Sequence, residues 1–492
     1  MTSDKESFKN MALLTGARIF GILFSLFIPM YLGRKLSVET YGTYKQIMLV
    51  FWFAQVALNL GVDDSAYYHL RKKPKLFPYY SFNALIFNII TAGLIWLLLV
   101  LFKIPISMLV KNPDLNQYLF LTGLLLFLTI CSMQIEGILI GLNRMKDRLF
   151  LEVGVEVVKS AAILFSFLFF NSISAVLISL SMIMGLKFLY TVYTIENYRK
   201  IEGLDYRNGL HFLKEQIRFG LPLGISRVLQ NLLNIENFFI SSYFSLVQFT
   251  YYSIGCFENP IINAARTSLY ELVNIELIDA EKENNHYKSM QVWKRMNRKL
   301  FLIVLPFVIY MLFFAKELIT FVFSDKYLES VPFFMVFNFY IIAGCLNPEP
   351  LFRATNHTKW TFHLRLFGLF LGASFIFLGA YYFGALYALV GKTLALIIVN
   401  IIGLNVGAKL INYDLIDLFD WVEIFKIIFI STILSLVLRL SINMLSLDWM
   451  PFFILALTFS IYAFLGLILS MKFKVIKTEE KDFILSKLKL KK

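Results

Sequence analysis

Charged residues are scarce in this 492-residue chain: Asp, Glu, Lys and Arg together make up 16%, where soluble domains carry about a quarter. Cysteine is nearly absent. Cys131, Cys256 and Cys345 all lie in apolar runs, which excludes a disulfide scaffold. Twelve prolines and 25 glycines without a period exclude collagen-like and Pro/Gly-rich disordered chains. His69, His211, His286, His357 and His363 have no metal-ligand spacing, and no Ser/His/Asp constellation or glycine-rich nucleotide loop occurs. Neither a metal, a cofactor nor an enzymatic centre is expected. Gly391-Lys392-Thr393 imitates the end of a phosphate loop, but Leu386 stands where its first glycine belongs. Asn356-His357-Thr358 is a glycosylation sequon on an expected cytoplasmic connection and is read as accidental.

What the chain does have is apolar length. Hydrophobic residues make up 58% and aromatics 17%, and the mean hydropathy is +0.68. These values indicate an all-α integral membrane protein. A membrane-spanning helix needs about 20 mainly apolar residues. Fourteen such windows are present, at 11–33, 41–60, 79–102, 117–142, 149–170, 173–196, 219–243, 246–272, 300–323, 331–352, 361–381, 384–410, 421–440 and 450–471. Pro348 and Pro350 are expected to end or kink the tenth, leaving Glu349 unusually placed.

The excess of basic residues, +14 in all, tests this map. Of 47 Lys and Arg, 30 fall at the N-terminus, on connections after even-numbered spans or in the C-terminal tail; 5 fall on connections after odd-numbered spans and 12 within spans. Both termini are therefore expected in the cytoplasm. The basic charge then marks topology and gives no support to nucleic-acid binding. The opening MTSDKESFKN has no basic region with a cleavage site, so the first span is expected to be retained. Residues 203–218 and 275–298 are long enough for amphipathic interfacial helices, and the Lys-rich tail suits anionic lipid headgroups or an ordinary cytoplasmic tail.

A weak internal echo divides the chain. LSVETYGTY (Leu36 to Tyr44) stands between spans one and two, and FSLVQFTYY (Phe244 to Tyr252) between spans seven and eight, with Ser37 over Ser245 and Tyr44 over Tyr252. Arg18 precedes the first serine by 19 residues and Arg227 the second by 18. Six spans per repeat give copies of like orientation, with a ligand site expected between the bundles. The expected organisation is an N-lobe at 1–200, a linker at 201–218, a C-lobe at 219–412, two further spans at 413–471 and a basic tail at 472–492.

Ions within spans are costly, about 2.5 to 3.5 kcal/mol at a helix centre on insertion scales, so they mark function. Arg18, Lys45, Arg227 and Arg266 place one cation in each of spans one, two, seven and eight. Each lies on a polar stripe of helical period: Trp52 and Gln55 follow Lys45, Gln230, Asn231 and Asn234 follow Arg227, and Asn263 precedes Arg266. Together they are expected to line a cationic cavity that neutralises phosphate and meets sugar hydroxyls. Lys45 and Arg266, near helix ends, are also open to snorkelling. Glu136, Glu236 and Glu258 are the candidates for ion coupling, and Glu258 is placed to partner Arg266.

The stretch TGARIFGILFSLFIPMYLGRKLSVETYGTY (Thr15 to Tyr44), supported by NLGVDDSAYYHL and LKEQIRFGLPLGIS, resembles the O-antigen and capsule repeat-unit flippases of the multidrug, oligosaccharidyl-lipid and polysaccharide (MOP) exporter superfamily. That resemblance implies two six-helix lobes plus two C-terminal helices. It also implies translocation of an undecaprenyl-pyrophosphate-linked oligosaccharide across the cytoplasmic membrane by alternating access. Partners implied are the lipid-linked substrate, membrane lipids, and polysaccharide polymerase and chain-length machinery. A drug or cation antiporter of the same fold would instead want acids in spans one, two, seven and eight. A membrane-embedded glycan polymerase or ligase would need a larger outer loop than residues 103–116 offer.

Overall fold

The computed structural model describes residues 27–58, 62–63, 76–142, 144–202, 212–232, 236–444 and 450–473. It is all-helical, with no strand among the described residues, and divides into two compact units, Met1–Thr250 and Tyr251–Lys492.

Unit 1 contains α1 (Val38–Leu58), α2 (Phe77–Leu101), the short α3 (Lys103–Leu109), α4 (Leu119–Gly141), α5 (Met145–Phe170), α6 (Ile173–Glu202), α7 (Leu213–Leu232), α8 (Glu236–Tyr243) and the start of α9 (Leu246–Gly255). Its core forms where α2, α4 and α6 bring Leu85, Ile135, Ile138, Leu139 and Ile195 together. Helices α2 and α4 run antiparallel. Trp96 donates its indole N–H to the carbonyl of Phe120 at 3.1 Å, and two turns back along α2 the Asn88 amide reaches the carbonyl of Ile130 at 3.4 Å.

The two echoed connections fold alike. Ser37 Oγ accepts the Thr40 N–H at 3.1 Å at the head of α1, and Ser245 Oγ accepts the Gln248 N–H at 3.3 Å at the head of α9, in each case covering an otherwise unpaired helix-terminal donor. The heads also touch within unit 1. Thr250 Oγ1 reaches the carbonyl of Val38 at 3.3 Å, and a Cβ at Gly42 would stand 2.1 Å from Thr250 Oγ1 and 2.9 Å from Leu246 Cδ1. Only a residue without a side chain fits at 42.

Unit 2 contains α10 (Pro260–Lys282), α11 (His286–Phe313), α12 (Ala315–Val322), α13 (Val331–Gly344), α14 (Glu349–Ala354), α15 (Lys359–Phe383), α16 (Ala385–Leu410), α17 (Trp421–Met444) and α18 (Pro451–Lys472). Because lipid tails are as apolar as leucine, such helices are held by close approach and hydrogen bonds. Gly391 lets α16 meet the backbone of α15, with Phe375 O 2.4 Å from the site of a Cβ. Helix α18 docks on α11 through Tyr310, whose hydroxyl pairs with that of Thr458 at 2.8 Å, and through the Tyr462 hydroxyl, which donates to the carbonyl of Pro306 at 2.8 Å.

Ten helices among the described residues are long and apolar enough to cross a membrane, and they account for windows three to six and nine to fourteen. The chain is a multi-pass membrane protein. The other four windows are the ones carrying the candidate cations: the first lies mainly outside the described residues, and α1, α7–α8 and α9–α10 are the second, seventh and eighth. Three expectations change. The eighth window is interrupted, since α9 ends at Gly255 and α10 begins at Pro260; proline has no N–H to give to a preceding turn and belongs at a helix start. The connection at 275–298 holds no interfacial helix: α10 and α11 run through it as a hairpin turning at 283–285, with the Asn285 side chain accepting the Lys288 N–H at 2.9 Å. Residues 213–218 of the expected linker are the first turns of α7, while 203–211 lie outside the described residues. The tenth window does break at its prolines. There Glu349 receives Arg353 at 2.5 Å and Arg365 at 3.2 Å, tying α14 to α15.

Candidate functional site

Lys45 leaves α1 two turns after its serine cap, half-buried, with Nζ 5.4 Å from the centre of the Tyr41 ring. That ring is fully buried, and its face attracts a cation while leaving the ammonium's donors for another group. Trp52, two turns on along the same face, is 59% exposed. Gln55 turns instead into the unit, where its amide nitrogen lies 3.5 Å from Met133 Sδ on α4. Thus the α1 stripe has an open end, at Lys45 and Trp52, and a closed one.

Arg18 and Asn234 lie outside the described residues, as do the side chains of Arg227, Gln230 and Asn231, which the backbone places on α7. In unit 2 the arrangement is compact. Arg266 reaches back along α10 so that one guanidinium nitrogen meets Glu258 Oε1 at 3.3 Å and Asn263 Oδ1 at 3.2 Å. A second nitrogen lies against Gly344, 2.9 Å from where a Cβ would stand. The Tyr270 hydroxyl donates to the carbonyl of Cys345 at 2.9 Å. The break at 256–259 therefore has a cation, a carboxylate and an amide gathered over it, a pattern suited to polar ligands at membrane depth because peptide groups there are released from the helix ladder.

The acids have distinct surroundings. Glu136 accepts from Lys187 of α6 at 2.8 Å, with the Lys187 side chain only 10% exposed. Glu236, at the start of α8, is buried and takes the Asn237 amide at 3.3 Å. Glu258 is exposed and paired with Arg266.

One polar network was not read from the sequence. Gln46 donates to the carbonyl of Val110 at 2.9 Å and to Ser241 Oγ at 3.0 Å, and accepts from Asn112, which also donates to Thr43 Oγ1 at 3.0 Å. Lys111 next to it donates to the carbonyl of Tyr243 at 2.6 Å. These residues strap α1 to α8 through the connection before α4. Sequence separations of 64 and 195 residues hide the network, and only the intramembrane glutamine hinted at it.

Comparison with known proteins places this geometry. The family model described as polysaccharide biosynthesis protein matches residues 7–256. No curated protein matches the chain. Among solved structures, the lipid II flippase MurJ in its inward closed conformation aligns with a TM-score of 0.71 at 14% identity, over 94% of this chain and 98% of that one. A multidrug resistance MATE family transporter of the MOP superfamily aligns in its inward-facing conformation with a TM-score of 0.64 at 13% identity, over 80% of this chain and 94% of that one. An outward-facing conformation of such a transporter gives a TM-score of 0.51 at 13% identity, over 82% and 93%. These neighbours are transporters or flippases. With over half its length matched by the family model, the chain belongs to the polysaccharide biosynthesis protein family, and its fold is the one shared by the MurJ and MATE structures.

Proposed function

We propose that the chain is a flippase carrying an undecaprenyl-pyrophosphate-linked oligosaccharide, a repeat unit of O-antigen, capsule or exopolysaccharide, between leaflets of the cytoplasmic membrane by alternating access. The observation that carries this reading is that, in a chain of the polysaccharide biosynthesis family, spans one, two, seven and eight each set one cation on a polar stripe. A pyrophosphate must exchange its water for charge-assisted donors, and guanidinium forks and ammonium groups supply them. Arg18, Lys45, Arg227 and Arg266 take that role here, with Trp52, Gln55, Gln230, Asn231, Asn234 and Asn263 meeting sugar. Lys45, whose donors are left open by its aromatic seat, is well suited to it. Glu136, Glu236 and Glu258 supply the acids of an ion-coupled cycle. Both termini face the cytoplasm, where the basic connections lie, and the product passes to a polymerase and its chain-length machinery. No step is catalytic.

The MATE likeness supports a second reading, export of organic cations. That reading wants acids in place of the cations in spans one, two, seven and eight, whereas Arg18, Lys45, Arg227 and Arg266 stand there.

Translocation of a fluorescent undecaprenyl-pyrophosphate oligosaccharide in proteoliposomes separates the two. Wild type should move the lipid, and Arg18→Ala and Arg227→Ala, folded by size-exclusion profile, should each slow it at least about tenfold, the loss of one charge-assisted contact worth roughly 1.5 to 3 kcal/mol. A wild type that leaves the lipid in place yet expels organic cations against an imposed gradient makes the antiporter the working model.

A further inference from the structure

In unit 2 one carboxylate holds two guanidiniums that the proposed transport site does not use. Glu349 is the first residue of α14, where the tenth span has broken at its prolines. Its Oε1 accepts from Arg353 at 2.5 Å, and its Oε2 accepts from Arg365 of α15 at 3.2 Å. Two positive charges thus meet one negative charge, and Glu349 is the acid with which both arginines pair among the described residues. A guanidinium carries five N–H donors, so most of each fork is left over. The carboxylate is the sheltered member, with its side chain 19% exposed, whereas Arg353 and Arg365 are 55% and 39% exposed. The unused edges of two forks therefore stand side by side at the surface of unit 2.

The platform beneath them is fixed, and its depth is set by α15. A Cβ at Gly403 would stand 2.5 Å from Pro348 Cγ, and one at Gly407 would stand 2.8 Å from Leu351 Cδ1, so α14 is seated directly on the backbone of α16. Arg365 precedes Phe383, the last residue of α15, by 18 residues, about 27 Å of helix. The hydrocarbon core is about 30 Å thick, which puts Arg365 at the level of the headgroups on the side of the α14–α15 connection. Helical side chains lean toward their own N-terminus, turning Arg365 toward that surface and toward α14. Helix α15 is among the least buried of the spans. Beside Arg365 its exposed Phe362, Leu366 and Phe370 follow one another at four-residue spacing, a continuous apolar stripe leading from the headgroup level into the hydrocarbon.

We infer that Arg353 and Arg365 bind the phosphate of an anionic phospholipid headgroup, whose acyl chain lies along Phe362, Leu366 and Phe370. Paired guanidinium forks match phosphate oxygens in geometry as well as charge, and basic pockets between transmembrane helices at the headgroup level are where anionic lipids are held. A purely structural ion pair would need one arginine; the second leaves the group with a net positive charge that a zwitterionic headgroup does not neutralise. Glu349 acts as the positioning residue, holding the two forks together. A lipid bound here joins α14 to α15 across the break in the tenth span. The site is independent of what the chain carries.

The test is native mass spectrometry of the purified full-length chain in detergent, titrated with phosphatidylglycerol or with phosphatidylcholine of the same acyl chains. Wild type should bind the first lipid about tenfold more tightly than the second. The double variant Arg353→Gln/Arg365→Gln should bring the two lipids within about twofold of each other, since two charge-assisted contacts are gone. Arg353→Gln alone leaves Glu349 paired with Arg365, so it carries the test even where the double variant fails to fold; it should lose about threefold for phosphatidylglycerol and little for phosphatidylcholine. Lys288→Gln, at the tip of the α10–α11 hairpin, should leave the preference unchanged. Equal affinity of wild type for the two lipids, a preference that survives in Arg353→Gln and in the double variant, or an equal loss in Lys288→Gln overturns the site. Displacement of phosphatidylglycerol by millimolar inorganic phosphate overturns the lipid assignment and makes a soluble phosphate the ligand.

Discussion

Helix α1 and the pair α9–α10 start from the same serine-capped connection and then diverge. Helix α1 runs unbroken for 21 residues, whereas its counterpart stops at Gly255 and restarts at Pro260. With Ser37 set over Ser245, Trp52 is the position that corresponds to Pro260. A large aromatic keeps the ladder going in one repeat; an imino acid ends it in the other. The cations follow suit. Lys45 comes eight residues after its serine, close to the helix head, and Arg266 comes 21 residues after its own, beyond the break. Two copies of one plan thus present positive charge at opposite ends of equivalent spans, one ammonium on a ring face and one guanidinium engaged with Glu258.

The comparison is broken most severely by giving α1 its partner's interruption. Trp52→Pro should cost about 3 kcal/mol or more, because the helix loses a backbone bond and clashes with the preceding turn, and the purified variant should show early thermal unfolding or aggregate. Next in size is Gln46→Ile, since Ile254 occupies the matching position in the second repeat and is buried there. Unpairing Asn112, Ser241 and the Val110 carbonyl together should lower stability by roughly 2 to 3 kcal/mol, whereas Ile254→Val should cost only about 1 kcal/mol. Equal losses would mean the strap adds nothing to α1. The smallest effect sharpens the contact between the two heads. Gly42→Ala should cost about 1 to 2 kcal/mol through its clash with Thr250 Oγ1, and Thr250→Gly in the same chain should return part of it, as a double-mutant cycle of melting temperatures would record.

Most of the fold could be read from the sequence because lipid imposes a length and a polarity on each span. The fourteen windows, the proline break near Glu349 and the paired serine turns follow from local patterns that need no partner to be recognised. The break at 256–259 was also written locally, in Pro260, but a hydropathy window averages over the few residues that interrupt it. The long reach of α11 was missed because His286 to Lys299 is polar enough to resemble a connection, while Trp293 within it is fully buried. Of the candidate site, the cation positions on α1 and α10 were legible as isolated charges in apolar runs, and so was the pairing of Glu258 with Arg266. The strap around Gln46 was not, since it is assembled from residues far apart in the chain whose types are unremarkable one by one.

The hairpin of α10 and α11 has a practical consequence for imaging. A chain buried almost wholly in lipid or detergent offers an electron microscope few features by which to align particles. Here two continuous helices carry a three-residue turn, Glu283 to Asn285, in which all three residues are exposed. The turn is braced by Lys288 on Glu283 at 2.9 Å and by the pairing of Arg295 with Glu276. Exposed tips of this kind accept inserted sequence, and the paired helices beneath would transmit its orientation. An epitope placed between Glu283 and Asn284 would give a bound antibody fragment a stiff stalk, and particle images a fixed direction.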